Sequence, residues 1–126
     1  LIEVLILGDD GMWHRTEMMV DAGNDITLLD WNTAKSMNLD PERHAMDVFF
    51  VTGIDGLPQE FYMTVLQMQL GRTVHPVPVT VGIGELAGMN LLGRKDIFDK
   101  FTVTYSPDPP TVAFSEPSCY GCSNVF

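Results

Sequence analysis

Along this chain apolar and polar residues alternate over short stretches, and the alternation stops repeatedly at glycine, proline or aspartate. That pattern predicts many short strands joined by tight turns. Leu1 to Leu7 reads as a strand, and Gly8-Asp9-Asp10-Gly11 as a hairpin turn whose Asp-Gly step supplies positive φ. Met12 to Val20 returns as a strand, half exposed near the turn at His14, Arg15 and Glu17. Ile26 to Leu29 is a short strand closed by Asp30, which is placed to N-cap a helix through Trp31, Ala34 and Met37 that ends near Asn38, with Pro41 beyond. Met46 to Thr52 and Gln59 to Leu70 form two arms of a hairpin around a glycine-flanked tip, Gly53-Ile54-Asp55-Gly56.

After a turn at Gly71-Arg72, Thr73 to Gly82 carries Val77, Val79 and Val81 in alternation, and Pro76 and Pro78 confine this strand to an edge or irregular position. Gly82 to Met89 reads as a glycine-rich connection. Leu91-Leu92-Gly93 follows, then Arg94 and a second short helix from Lys95 to Lys100. Phe101, Val103 and Tyr105 share one face of a strand, Ser106 to Pro110 turns, and Thr111 to Phe114 pairs back. The expectation is a mainly β domain over residues 1–114, a closed or partly open β-barrel with one or two short helices, and a poorly ordered C-terminal tail over 115–126.

Composition narrows the function classes. A chain of 126 residues with 45% hydrophobic content builds a single core, and no apolar run approaches the length that crosses a bilayer. A formal charge of −10 argues against nucleic acid and against an anionic membrane surface as partners. The eight methionines are spread over strands and loops and read as core filler. Cys119 and Cys122 form a Cys-x-x-Cys, but without the strand and helix start of a redox motif or the further ligands of a zinc site. His14, His44 and His75 show no ligand spacing, so no metal and no cofactor are expected. The sequence begins with Leu and shows no signal peptide, consistent with an excised or processed domain, and it names no compartment.

The stretch with chemistry in it is Val20-Asp21-Ala22-Gly23-Asn24-Asp25-Ile26-Thr27-Leu28-Leu29. An apolar strand runs into Asp21, two small residues turn the chain, and a second apolar run follows at once. The carboxylate therefore sits at the end of a buried strand, where Gly23 lets another backbone come close. On its own this is also how an ordinary Asx turn between strands reads.

Three features in order resemble the retropepsin-like aspartic proteases, the single-lobe relatives of pepsin. They are the Asp-small-Gly after an apolar strand, a glycine-tipped hairpin about thirty residues on, and Asn90-Leu91-Leu92-Gly93-Arg94-Lys95-Asp96-Ile97-Phe98 before a short helix. The resemblance implies that Asp21 is the catalytic aspartate, in an active-site turn with Ala22 and Gly23. It implies that Gly23, Asp25, Gly53, Ile54, Asp55 and Gly56 meet the substrate, the last four as a flap tip. Thr27, Leu91, Leu92, Gly93 and Arg94 would support the turn from behind, with Asp25 on the substrate main chain or paired with Arg94. The chain holds one such triplet, since Asp9, Asp10 and Asp55 lack the apolar strand before them. The implied enzyme is thus a homodimer that sets Asp21 against its mate and cleaves an extended peptide or protein substrate, apolar beside the cut.

One residue departs from the family pattern. Ala22 stands where the family has Thr or Ser, whose hydroxyl bonds across the dimer beneath the two aspartates. A tolerated natural variant, an engineered quieting of the enzyme and a drift away from catalysis all fit that change. The rival function is a non-catalytic domain of the same fold, used for dimerisation or peptide binding. A redox or metal role for Cys119 and Cys122 is the third reading.

Overall fold

The computed structural model describes residues 1–40, 43, 47–52, 56–71, 75–115 and 123–125. Among the described residues ten strands and one helix are delimited, in the order β1 (Ile2–Leu7), β2 (Trp13–Val20), β3 (Thr27–Asp30), α1 (Trp31–Ser36), β4 (Asp47–Thr52), β5 (Pro58–Gln69), β6 (Val77–Gly84), β7 (Leu91–Leu92), β8 (Thr102–Pro107), β9 (Pro110–Ser115) and β10 (Ser123–Val125). Seven strands form one sheet in the order β1-β2-β7-β3-β6-β5-β4. β1 also pairs with β5 at Leu5↔Gln69 and Ile6↔Met68, so the pairing of six strands closes on itself and β4 hangs from β5 as an outer arm.

Alternation explains which face each strand buries. Ile2, Val4 and Ile6 point inward from β1, while Thr16 and Met18 do so from β2. Leu66 and Met68 of β5 and Val79, Val81 and Ile83 of β6 meet them. The inward phase of β5 shifts between Phe61 and Thr64, where the strand passes from its pairing with β4 to its pairing with β6. Ala34 and Met37 of the α1 segment close one side of this core, and Leu92, Ile97 and Phe101 close another. β8, β9 and β10 make a separate three-stranded sheet, tied to the main core by Phe114 packed edge-on against Phe101 with ring centres 6.4 Å apart.

Several sequence expectations shift here. Asp30 does cap α1, its side chain accepting from Asn32 N, and the helix stops at Met37 with Asn38 at φ 58°. The second helix does not form as such: Phe98 N donates to Arg94 O and Phe101 N to Ile97 O in two overlapping turns, and Asp96, inside the first, is at φ 67°, outside the right-handed helical region. Pro78 does not make β6 an edge strand, since β6 lies between β5 and β3. β3 covers only Val81 to Gly84, however, and beside Pro78 the open side is filled by the Asp96 carboxylate on Thr80 N (2.8 Å) and by Lys100 Nζ on Pro78 O (3.2 Å). Gly82 and Gly84 belong to this strand rather than to a connection. A Cβ on Gly82 would lie 2.8 Å from the Phe49 ring, and one on Gly84 would lie 2.5 Å from the Phe61 ring, so both are glycine to admit aromatic side chains. The tail carries β10, paired to β9, where poor order was expected. Pro41, Met46, Gly53 to Asp55, Arg72 to Val74, Cys119 and Cys122 lie outside the described residues.

Candidate active site

Asp21 is the first residue after β2, and its place is fixed by a strand from the far end of the chain. β7 slides between β2 and β3, parallel to β2 at Met19↔Leu91 and Val20↔Leu92 and antiparallel to β3 at Leu28↔Leu91. Met19 N donates to Asn90 O at 2.8 Å and Asp21 N to Leu92 O at 2.9 Å. Beyond β7, Arg94 N donates to Asn24 O and Lys95 N to Asp25 O, both at 2.9 Å. The turn from Asp21 to Asp25 is thus stitched along its length to residues 90–95.

Two further contacts lock this arrangement. The buried Thr27 hydroxyl accepts from Gly93 N at 3.0 Å. Gly93 itself lies so close to Ile26 that a Cβ there would run into the Ile26 carbonyl and sit 2.8 Å from Thr27 N. The apolar pair followed by glycine therefore has a physical reason: two side chains for the core, then a residue with none where two backbones touch.

The Asp21 side chain is half-buried. Its Oδ1 accepts from Gly23 N at 2.9 Å and its Oδ2 from Asn24 Nδ2 at 3.0 Å. Ala22 and Gly23 are exposed beside it, open to whatever approaches the carboxylate. Asp25 is exposed too, and among the described residues no ion pair joins it to Arg94. The Arg94 guanidinium instead donates to the Ala22 carbonyl at 3.5 Å and lies over the Phe98 ring at 5.6 Å. Of the expected flap tip only Gly56 is described, exposed and at φ 75°. The β4–β5 arms beneath it pair from Asp47↔Met63 to Thr52↔Pro58 and expose Phe50 and Leu57.

Three residues behind and within the turn were missed in the sequence. Asn24 is given no role there, though its side chain donates to the carboxylate. Asp30 is read only as a helix cap, yet it is buried, and its Oδ1 also accepts from Leu86 N at 2.8 Å. Burial pushes its carboxyl up, but the backbone N–H groups of Leu86, Gly88, Asn32 and Thr33 together hold it below the ordinary carboxylate value. Asn90 is buried with its Oδ1 on Asp30 N (2.8 Å) and its Nδ2 reaching Glu17 O and Thr33 Oγ1 (3.4 and 3.3 Å). A lone polar residue set directly before Leu91-Leu92 was the available signal for it.

An open groove of about 600 Å³ runs between β2, α1 and residues 87–90, lined by Thr16, Met19, Met37 and Met89 among others, and it does not include Asp21. Among the described residues no group of His, Cys, Asp and Glu is arranged to hold a metal ion. No helix among them is long and apolar enough to cross a membrane.

This fold is shared with the EIAV protease solved in complex with the inhibitor HBY-793, at a TM-score of 0.50 and 17% identity, over 78% of this chain and 84% of that one. The chain matches none of the curated proteins. Its sequence matches the aspartyl protease family over residues 2–95, a span that holds the Asp21 turn, the β4–β5 hairpin and the β7 brace, and the chain belongs to that family.

Proposed function

We propose that this chain is an aspartic endopeptidase that works as a symmetric homodimer, with Asp21 of each copy forming the catalytic pair. One observation carries the reading: Asp21 is held at two oxygens on a turn that β7 pins from behind, with exposed space beside it at Ala22 and Gly23. The sequence offers one such turn per chain, so chemistry that needs two carboxylates takes the second from another copy.

Two carboxylates brought within a few ångströms do not both ionise, and the pair shares one proton. The ionised member accepts a proton from a water held between them. That water's oxygen attacks the scissile carbonyl carbon, while the protonated member hydrogen-bonds the carbonyl oxygen as charge builds there. Collapse of the tetrahedral intermediate breaks the C–N bond, and the leaving nitrogen takes the proton that the first carboxylate drew from the water. The substrate lies extended across the turn, its main chain bonded to Gly23 and Asp25 below and to the 53–56 tip of the β4–β5 hairpin above. Met19 is exposed two residues before Asp21 and favours apolar residues beside the cut.

The test is a peptide-library digest with wild-type protein and Asp21→Asn, run at several pH values, beside sedimentation of both. Cleavage lost in the variant, with its fold intact and self-association in the wild type, is the expected result. Equal cleavage by the variant, or a strict monomer that still cleaves, would overturn it.

A further inference from the structure

The Asp21 carboxylate has a side-chain partner that the family resemblance does not assign. Asn24 Nδ2 donates to Oδ2 at 3.0 Å while Gly23 N occupies Oδ1 at 2.9 Å. Against an ionised carboxylate only the NH₂ end of an amide fits, because carboxylate oxygens only accept. Asn24 is in turn fixed through its own backbone: its N donates to Asp21 O at 3.2 Å, and its O accepts from Arg94 N at 2.9 Å. A donor on a braced turn, aimed at one oxygen, sets the twist of the carboxylate about its Cβ–Cγ bond.

We infer that Asn24 is a positioning residue for the Asp21 carboxylate, its amide holding Oδ2 in place so that a mate and a water meet the carboxylate in a fixed orientation. Two of the carboxylate's acceptor positions are then taken, and each oxygen keeps one for the partner carboxyl and the water. Ala22 and Asn24 fit together in this light. The position after the aspartate carries no hydroxyl here, and the one after the glycine brings an amide donor to the carboxylate. A merely structural Asx contact would matter to the stability of the turn and to nothing else.

The kinetic part of this inference rests on the protease reading, whereas the contact itself does not, and the experiment separates them. The contact is read by the side-chain NH₂ signals of Asn24 in ¹⁵N-labelled protein, compared between wild type and Asp21→Asn. They are expected to move more than any other asparagine side-chain pair, and no movement would overturn the inference whatever happens to cleavage. The role is read with the best peptide from the library digest. Asn24→Ala is expected to lower kcat about tenfold with KM within about twofold, and Asn24→Ser to recover part of the loss. Asn24→Asp sets a second carboxyl against the first. Its loss is expected to be deepest at neutral pH and to lessen as the pH falls and the new group gains a proton to donate. An unchanged kcat in Asn24→Ala, or the same fractional loss in Asn24→Asp at every pH, would overturn the role. Thermal melts of Asn24→Ala and Asn24→Ser identify a variant that has failed to fold, and the Asp21→Asn comparison then decides alone. A wild-type protein that cleaves nothing in the library sinks the protease reading and leaves the spectroscopic result standing.

Discussion

Thr27 Oγ1 accepts the Gly93 N–H at 3.0 Å across sixty-six positions of sequence, and both groups are buried. This bond joins the strand that leaves the Asp21 turn to the segment that braces it, and each end answers a need of the other. Gly93 has no room for a side chain, so its amide comes within reach of Thr27, and Thr27 supplies an acceptor where β7 has ended.

Replacing either partner tests the brace. Thr27→Val keeps the shape and strands a buried N–H, with an expected loss of about 1–3 kcal/mol. Gly93→Ala drives a methyl into the Ile26 carbonyl and is expected to cost more than Thr27→Val, or to prevent folding. Urea unfolding followed by tryptophan fluorescence measures both. A Gly93→Ala protein as stable as wild type would show that the backbone gives way there.

Asp30 links stability to pH. Its folded value lies below the unfolded value near 3.8, so its contribution is fully present above that value and is lost as the pH falls through the lower folded one. Asp30→Asn is expected to be less stable than wild type at pH 7 by about 1–3 kcal/mol, because a carboxylate bonded to several backbone N–H groups becomes an amide with one acceptor oxygen. The gap between the two proteins should narrow as the pH drops below 3.8. Urea midpoints taken from pH 7 to pH 2.5 check this, and a gap that stays constant would mean that the charge of Asp30 is not what stabilises the loop.

Ala22→Thr restores the hydroxyl that the family places beneath the dyad. If two copies meet at this turn, the gain is one hydrogen bond per subunit, about 0.5–1.5 kcal/mol each. Self-association measured by sedimentation should then tighten by roughly five- to 150-fold, with activity rising alongside. An unchanged dissociation constant would place the hydroxyl's role elsewhere.

Local chemistry was legible in the sequence and distant chemistry was not. Asp21, Gly23 and Leu91-Leu92-Gly93 stand out because each is a short pattern whose neighbours explain it. Asp30 shows only its cap role, since the N–H of Leu86 that shares its carboxylate is fifty-six positions away. Asn90 is silent for the same reason, its partner Asp30 lying sixty positions back. Gly82 and Gly84 misled because glycine ordinarily signals a turn, while here it makes room for the rings of Phe49 and Phe61. The break at Asp96 depends on a single residue with positive φ, which helix propensity alone does not expose.

β7 contributes only two residues to the sheet, yet they come more than sixty positions after the ends of the two strands that they separate. Until Leu91 and Leu92 leave the ribosome, β2 and β3 have no strand between them and the loop from Asp21 to Asp25 has nothing to hang on. Fragments cut short before residue 91 are expected to carry the aspartate without a working shape around it.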